Sequence, residues 1–146
     1  MIGINNVFAR AFGQGSGWKF VTSSDRTKQI LMDLCRTNTE LAKQFCHSIG
    51  NHLGKITDGT MHSLLDLAKD DPSFAARLGY EIGYNFYKLN ENMKQIVFDF
   101  ADLSPDFALQ LGIGVKDTFI KLGDDDRKLA LSFANKNESF TSGIHG

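Results

Sequence analysis

The sequence has few of the residues that interrupt or cross-link a fold. It contains two prolines, two cysteines and one tryptophan, and its 16 basic and 17 acidic residues leave a net charge of −1. Two cysteines do not make a disulfide framework, so a reduced, cytoplasmic setting is expected. The near balance of charge provides no global field toward nucleic acid or an anionic membrane, and neither is an expected partner.

Signals for secretion or membrane insertion are also missing. The opening residues, MIGINNVFARAFG, lack the basic and then apolar regions of a secretory signal. The longest uncharged apolar run, around Phe107 to Val115, is far shorter than the roughly 18 residues that a membrane-spanning helix needs. With 42% hydrophobic residues and 12 Phe, the 146-residue chain is nevertheless apolar enough for one packed core. We expect one soluble domain.

What the sequence does have is a repeat with a period of 33 residues. Stepping by this period from Phe8 leads to Leu41, Phe74, Phe107 and Phe140 without a gap. Apolar columns at a fixed period of this size indicate an array in which each unit buries one face against its neighbours. Three further columns keep the same register: Phe12, Phe45, Leu78, Leu111, Ile144; Phe20, Leu53, Phe86, Phe119; and Ile56, Leu89, Leu122.

Each repeat is predicted to contain a short helix and a long helix. In DPSFAARLGYEIGYNFYKL the apolar residues recur at the spacing of an α-helix. Asp71-Pro72 and Ser104-Pro105 each place a capping side chain before a proline, and so predict the start of the long helix. We expect it to stop near Asp58, Asn90 and Gly123 in successive copies. A shorter apolar piece, such as MKQIVFDFA, predicts the short helix.

These elements together predict an all-α fold, a right- or left-handed α-solenoid of short-helix/long-helix hairpins. The single repeat domain spans 1–146. Its units are a partial repeat at 1–24, full repeats at about 25–57, 58–90 and 91–123, and a partial repeat at 124–146.

Glycines recur on the predicted long helices. One column contains Gly13, Cys46, Gly79 and Gly112, and the next contains Gly17, Gly50, Gly83 and Lys116. A glycine inside a helix costs about 1 kcal/mol relative to alanine. We therefore predict that these glycines allow neighbouring helices to cross closely.

Candidate metal ligands are few and badly spaced. Cys35, Cys46, His47, His52 and His62 match no zinc motif, and the two cysteines occupy columns of small residues, which favours a packing role. The GDDDR stretch at 123–127 lacks the spacing of a calcium loop, and we interpret it as a solvated turn and helix start. We expect no metal and no cofactor.

Other polar columns also favour structure over chemistry. Asp33, Asp66 and Asp99 form one ladder and Lys55, Lys88 and Lys121 another, and we expect pairing between them across repeats. GQGSG at 13–17 lacks the context of a phosphate loop. Because no nucleophile, base and orienting group are assembled, we expect a protein that is not an enzyme.

A binding array keeps its core constant and varies its surface, so the variable columns of the long helix are the candidate binding positions. All three tyrosines and the single tryptophan belong to them. Tyr and Trp are common interface anchors because they supply contact area and a polar tip at low entropic cost. An alternative is that this face packs on another row of helices. The candidate partner-binding residues are Trp18, His47, Asn51, Tyr80, Tyr84, Tyr87, Ile113 and Asp117.

The two ends of the array carry core-type residues. Phe8 and Phe12 at one end, and Phe140 and Ile144 at the other, belong to columns that elsewhere are predicted to be buried. Either a partner covers these ends or copies of the chain stack end to end through them.

The nearly gapless two-helix period resembles TAL-effector-like DNA-binding repeats; the motifs of ankyrin and tetratricopeptide repeats are absent. This resemblance implies base-reading turns at 69–72 and 102–105. Both turns, KDDP and DLSP, are acidic and carry proline, which disfavours contact with phosphates. The leading hypothesis is a protein- or peptide-binding scaffold. A structural protein that assembles end to end is the alternative, and a nucleic-acid-binding array ranks below both.

Overall fold

The computed structural model describes residues 33–34 and 36–146. In that part of the chain every regular element is helical, which confirms the all-α prediction there. Three-residue 3₁₀ helices follow the first, third and fifth α-helices, at Leu53–Lys55, Phe86–Lys88 and Phe119–Lys121. The α-helices are α1 (Thr39–Asn51), α2 (Asp58–Ala68), α3 (Pro72–Tyr84), α4 (Glu91–Ala101), α5 (Pro105–Asp117), α6 (Asp124–Ala134) and α7 (Glu138–His145).

The helix starts are fixed by capping side chains. Asn38, Asp71, Ser104 and Asn137 precede α1, α3, α5 and α7, and each accepts a hydrogen bond from the amide three residues further on. The Asp71 carboxylate, for example, lies 3.1 Å from the amide nitrogen of Phe74. Such caps satisfy donors that have no partner inside the helix. The two predicted starts, at Asp71-Pro72 and Ser104-Pro105, are confirmed.

The predicted ends of the long helices are wrong. The α-helices stop at Asn51, Tyr84 and Asp117, several residues before the expected positions. At the end of α3, the Asn85 side chain donates to the carbonyl of Glu81 at 2.9 Å. The Asn85 amide is shared between two carbonyls at 3.2 Å each, and this tightens the chain into a 3₁₀ turn.

The residues after α1 and α5 turn back in the same way. Nδ1 of His52 lies 2.9 Å from the carbonyl of Ser48, and the Thr118 hydroxyl donates to that of Gly114 at 3.2 Å. As a result the odd-numbered helices α1, α3 and α5 have 13 residues and α2, α4 and α6 have 11. The contrast between long and short helices is therefore smaller than expected.

The odd-numbered helices lie side by side in chain order, α1 on α3, α3 on α5 and α5 on α7. The even-numbered helices pack against them and against each other; Phe98 on α4 and Phe133 on α6 stack with ring centroids 4.1 Å apart. One continuous cluster of buried apolar side chains runs between the helices.

The predicted apolar columns form this core. All their described members are buried except Phe119, which is half-buried and lies 5.6 Å from the guanidinium of Arg127. Phe140 is fully buried and Ile144 is 7% exposed, covered by the chain itself. The expectation that these two present apolar surface for end-to-end contact is therefore wrong. Phe8 and Phe12 lie outside the described residues.

Glycine brings the backbones of α3, α5 and α7 together, as predicted. A Cβ atom at Gly79 would lie 2.6 Å from the carbonyl oxygen of Phe107, and one at Gly112 would lie 2.5 Å from that of Phe140. Real Cβ atoms do not approach backbone so closely, so these crossings require glycine. Gly83 on α3, Gly114 on α5 and Gly143 on α7 meet backbone in the same manner.

The charged ladders do not pair as expected. Lys88 lies 5.8 Å from the centre of the Tyr87 ring, and Asp99 accepts a hydrogen bond from Gln95. The ion pair that does link repeats uses Lys94, which is buried on α4 and bonds to Glu91 at 2.8 Å and to Asp126 at 2.5 Å. Burial alone would lower the pKa of Lys94, but these two carboxylates outweigh it and raise the pKa.

The GDDDR stretch begins α6 as predicted, with Gly123 at the cap position and the three aspartates in the first turn. Negative charge there is favourable to the helix dipole. None of the helices in the described part of the chain reaches the length and apolarity needed to cross a bilayer.

Candidate functional site

The three tyrosines form one surface, which we call the tyrosine face: Tyr80 and Tyr84 on α3 and Tyr87 in the 3₁₀ turn behind it. Tyr84 is 40% exposed and Tyr87 45% exposed, while Tyr80 is half-buried. The rings of Tyr80 and Tyr84 stack with centroids 5.9 Å apart. This arrangement fixes two aromatic rings against each other and leaves their outer surface open.

Polar contacts connect the tyrosine face to the helices on either side. The Tyr80 hydroxyl donates to the Asp117 carboxylate of α5 at 2.9 Å. On the other side, His47 Nδ1 of α1 lies 3.6 Å from the Glu81 carboxylate. Burial, followed by the hydrogen bond to Asp117, raises the pKa of Tyr80 to about 12. Three adjacent helices thus contribute to one surface.

The remaining predicted binding residues lie around this surface. Asn51 is exposed one turn beyond His47 on α1, and Asp117 is exposed at the end of α5. Ile113 is half-buried on α5, and its amide faces Gly143 of α7. Trp18 lies outside the described residues. The structure therefore brings His47, Tyr80 and Asp117 together, whereas Ile113 turns partly toward the next helix.

A groove opens beside the tyrosine face, between α1 and α3. It encloses about 520 Å³, and the residues that line it include Lys43, Cys46, Arg77, Tyr80, Glu81 and Gln110. A smaller hollow of about 200 Å³ adjoins it and shares Ser73 and Arg77.

The groove exists because glycines are missing from this helix crossing. Cys46 stands one repeat before Gly79, Glu81 one repeat before Gly114 and Arg77 two repeats before Gly143. A Cβ atom at Gly50 would meet only the side chains of Glu81 and Asn85, not backbone. Side chains therefore separate α1 from α3, whereas glycines let α3 and α5 touch.

The electrostatics of the groove are uneven. Glu81 is half-buried, and burial raises the pKa of its carboxyl group, an effect that the neighbouring His47 partly offsets. Lys43 is exposed and Arg77 half-buried at the groove wall. Neither cation forms an ion pair with any residue in the described part of the chain.

The candidate metal ligands do not converge. Cys46 is buried in the core, and His62 is exposed on α2. Across residues 33–34 and 36–146 no three His, Cys, Asp or Glu side chains are grouped so that they could hold a metal ion. Cys35 lies outside the described residues.

The groove and the buried Lys94 were not predicted from the sequence. A signal for the groove was present, because Cys46 interrupts a column that is otherwise glycine, but the positions of Arg77 and Glu81 become meaningful only once Gly114 and Gly143 are seen at crossings. Comparison with protein-family models, curated proteins and solved structures found no match.

Proposed function

We propose that the protein is a helical repeat of the α-solenoid type that binds a protein or peptide and does not act as an enzyme. The odd-numbered helices begin at Thr39, Pro72, Pro105 and Glu138, at the period of the apolar columns, and they pack in chain order. Both features support stacked hairpin repeats. The low cysteine number and the burial of Cys46 support a cytoplasmic location.

The observation that carries the binding proposal is the exposed tyrosine face. Tyr84 and Tyr87 leave close to half of their surface open, although large aromatic side chains are normally more deeply buried. Tyr80 is held against Tyr84 by stacking and against Asp117 by a hydrogen bond. Rigid, partly exposed aromatic residues lose little entropy when a partner covers them, which is why tyrosine is enriched at binding hot spots.

End-to-end assembly has less support. Phe140 and Ile144 are already covered within the chain, so they cannot supply the contact without rearrangement of α7. A nucleic-acid partner also has little support, because the turns at 69–72 and 102–105 contain four Asp and one Lys.

The test is selection from a displayed library of short random peptides on the immobilised chain. Replacing both exposed tyrosines, Tyr84→Ala with Tyr87→Ala, is expected to weaken a selected peptide by about thirtyfold, the effect of a hot spot of roughly 2 kcal/mol. The matched control is Leu103→Ala, an 81% exposed apolar residue in the turn before α5. Circular dichroism checks that helicity is unchanged. Equal affinity for the tyrosine variant and the control would contradict the proposal.

A further inference from the structure

We infer that the groove between α1 and α3 receives an acidic side chain of the bound peptide, held by Lys43 and Arg77. This inference rests on the proposed peptide-binding function, because the groove adjoins the tyrosine face and shares Tyr80 with it. A peptide lying across the tyrosine face is thereby positioned to place a neighbouring residue between α1 and α3.

The first argument is the pairing of the other cations nearby. Arg36, at the edge of the smaller hollow, lies 3.2 Å from Asp33 and 3.5 Å from Asp71. Lys94 is paired with two carboxylates. Lys43 and Arg77 differ from both, since no carboxylate among the described residues pairs with either.

The second argument concerns the one carboxylate in the groove. Glu81 could repel an acidic ligand, but its carboxylate is directed to His47, 3.6 Å away on α1. Burial also favours the neutral form of Glu81. Asp117, on the far side of Tyr80, accepts the hydrogen bond of that tyrosine. Two cations thus face at most one partly compensated negative charge, which makes the lining complementary to an anion.

The third argument is the geometry of the wall. Arg77 lines both the groove and the adjoining hollow, so its guanidinium can donate to a carboxylate in a forked arrangement. Ser73 and Gln110 add neutral donors, and Tyr80 adds an aromatic edge. An arginine fork with neutral donors suits a planar carboxylate carried on a short side chain.

The experiment selects short random peptides on three forms of the chain: unmodified, Lys43→Ala with Arg77→Ala, and Lys128→Ala. Lys128 is an exposed lysine of α6, away from the groove, and serves as the charge control. We expect enrichment of Asp and Glu on the unmodified chain and the control, but not on the groove variant. One selected peptide is then remade with Gln in place of Glu, and its Kd for the unmodified chain should rise about tenfold.

The outcomes separate the two proposals. Acidic enrichment that disappears in the groove variant supports the inference, and a charge-reversed variant, Lys43→Glu with Arg77→Glu, should then select basic peptides. Peptides that require Tyr84 and Tyr87 but show no acidic enrichment, or bind equally well after the Gln replacement, overturn the inference and leave the binding function intact. Failure to select any peptide overturns both. The Gln peptide keeps the test decisive if the groove variant does not fold.

Discussion

Single glycines at the helix crossings should be the most sensitive positions of the chain. At Gly79 an added Cβ would meet the Phe107 carbonyl oxygen at 2.6 Å, and neither backbone can move freely. We expect Gly79→Ala to lower the free energy of unfolding by about 1–3 kcal/mol, the usual cost of overpacking. The matched control is Gly59→Ala in α2, where the nearest atom is 4.0 Å away and alanine should stabilise by about 0.5–1 kcal/mol.

Urea unfolding followed by circular dichroism measures both glycine variants. The two substitutions add the same methyl group to a helix, so their opposite signs isolate the effect of the crossing. A stabilising effect of Gly79→Ala similar to that of Gly59→Ala would show that α3 and α5 are not held in backbone contact.

The tyrosine that is hydrogen-bonded to Asp117 should give an alkaline signature. The folded chain raises the pKa of Tyr80 from 10.0 to about 12, so it holds this proton more tightly than the unfolded chain does. The resulting stability is fully present below pH 10 and is lost as the pH rises to about 12. Urea unfolding at a series of pH values should show this fall, and Tyr80→Phe should reduce it. An unchanged pH slope in Tyr80→Phe would contradict the assigned hydrogen bond.

Between elements, the sequence predicts starts better than ends and shared features better than exceptions. The caps at Asp71 and Ser104 are local signals, since each side chain bonds an amide three residues away. The ends depend on Asn85 and Thr118, whose bonds to carbonyls four residues back compete with continuing the helix, a balance that apolar spacing does not register. The groove depends on which glycine column Glu81 interrupts, and that requires knowledge of the crossing.

The buried ion pair should make α6 dependent on α4. Asp126 bonds to the buried Lys94 at 2.5 Å, whereas Asp125, its neighbour in the same helix turn, is exposed. We expect Asp126→Asn to lower the free energy of unfolding by about 1.5–3 kcal/mol, the range for a hydrogen bond to a charged group. Asp125→Asn, which removes the same charge from the same helix end, should cost no more than about 0.5 kcal/mol.

Chemical denaturation of the two asparagine variants separates the ion pair from the helix dipole. Both variants lose one negative charge near the start of α6, so any dipole effect is common to them. Equal losses of stability would mean that Lys94 is satisfied by Glu91 alone.

Over the whole molecule, the helix crossings differ in the kind of contact that holds them. Glycines join α3 to α5 and α5 to α7 through backbone, while α1 meets α3 through the side chains of Glu81 and Asn85, beside an open groove. Fewer close contacts at a crossing mean a lower cost of opening it locally. The crossing proposed to bind a ligand is therefore also the one expected to open most easily.

Hydrogen exchange of matched amides tests this gradient. Phe45, Leu78 and Leu111 occupy the same column on α1, α3 and α5, and all three side chains are fully buried. We expect the Phe45 amide to exchange about tenfold faster than the other two, which corresponds to roughly 1.4 kcal/mol of local stability. Gly83→Ala, which disturbs the α3–α5 crossing, should bring Leu111 toward the rate of Phe45. Equal protection of all three amides in the unmodified chain would show that the groove does not loosen α1.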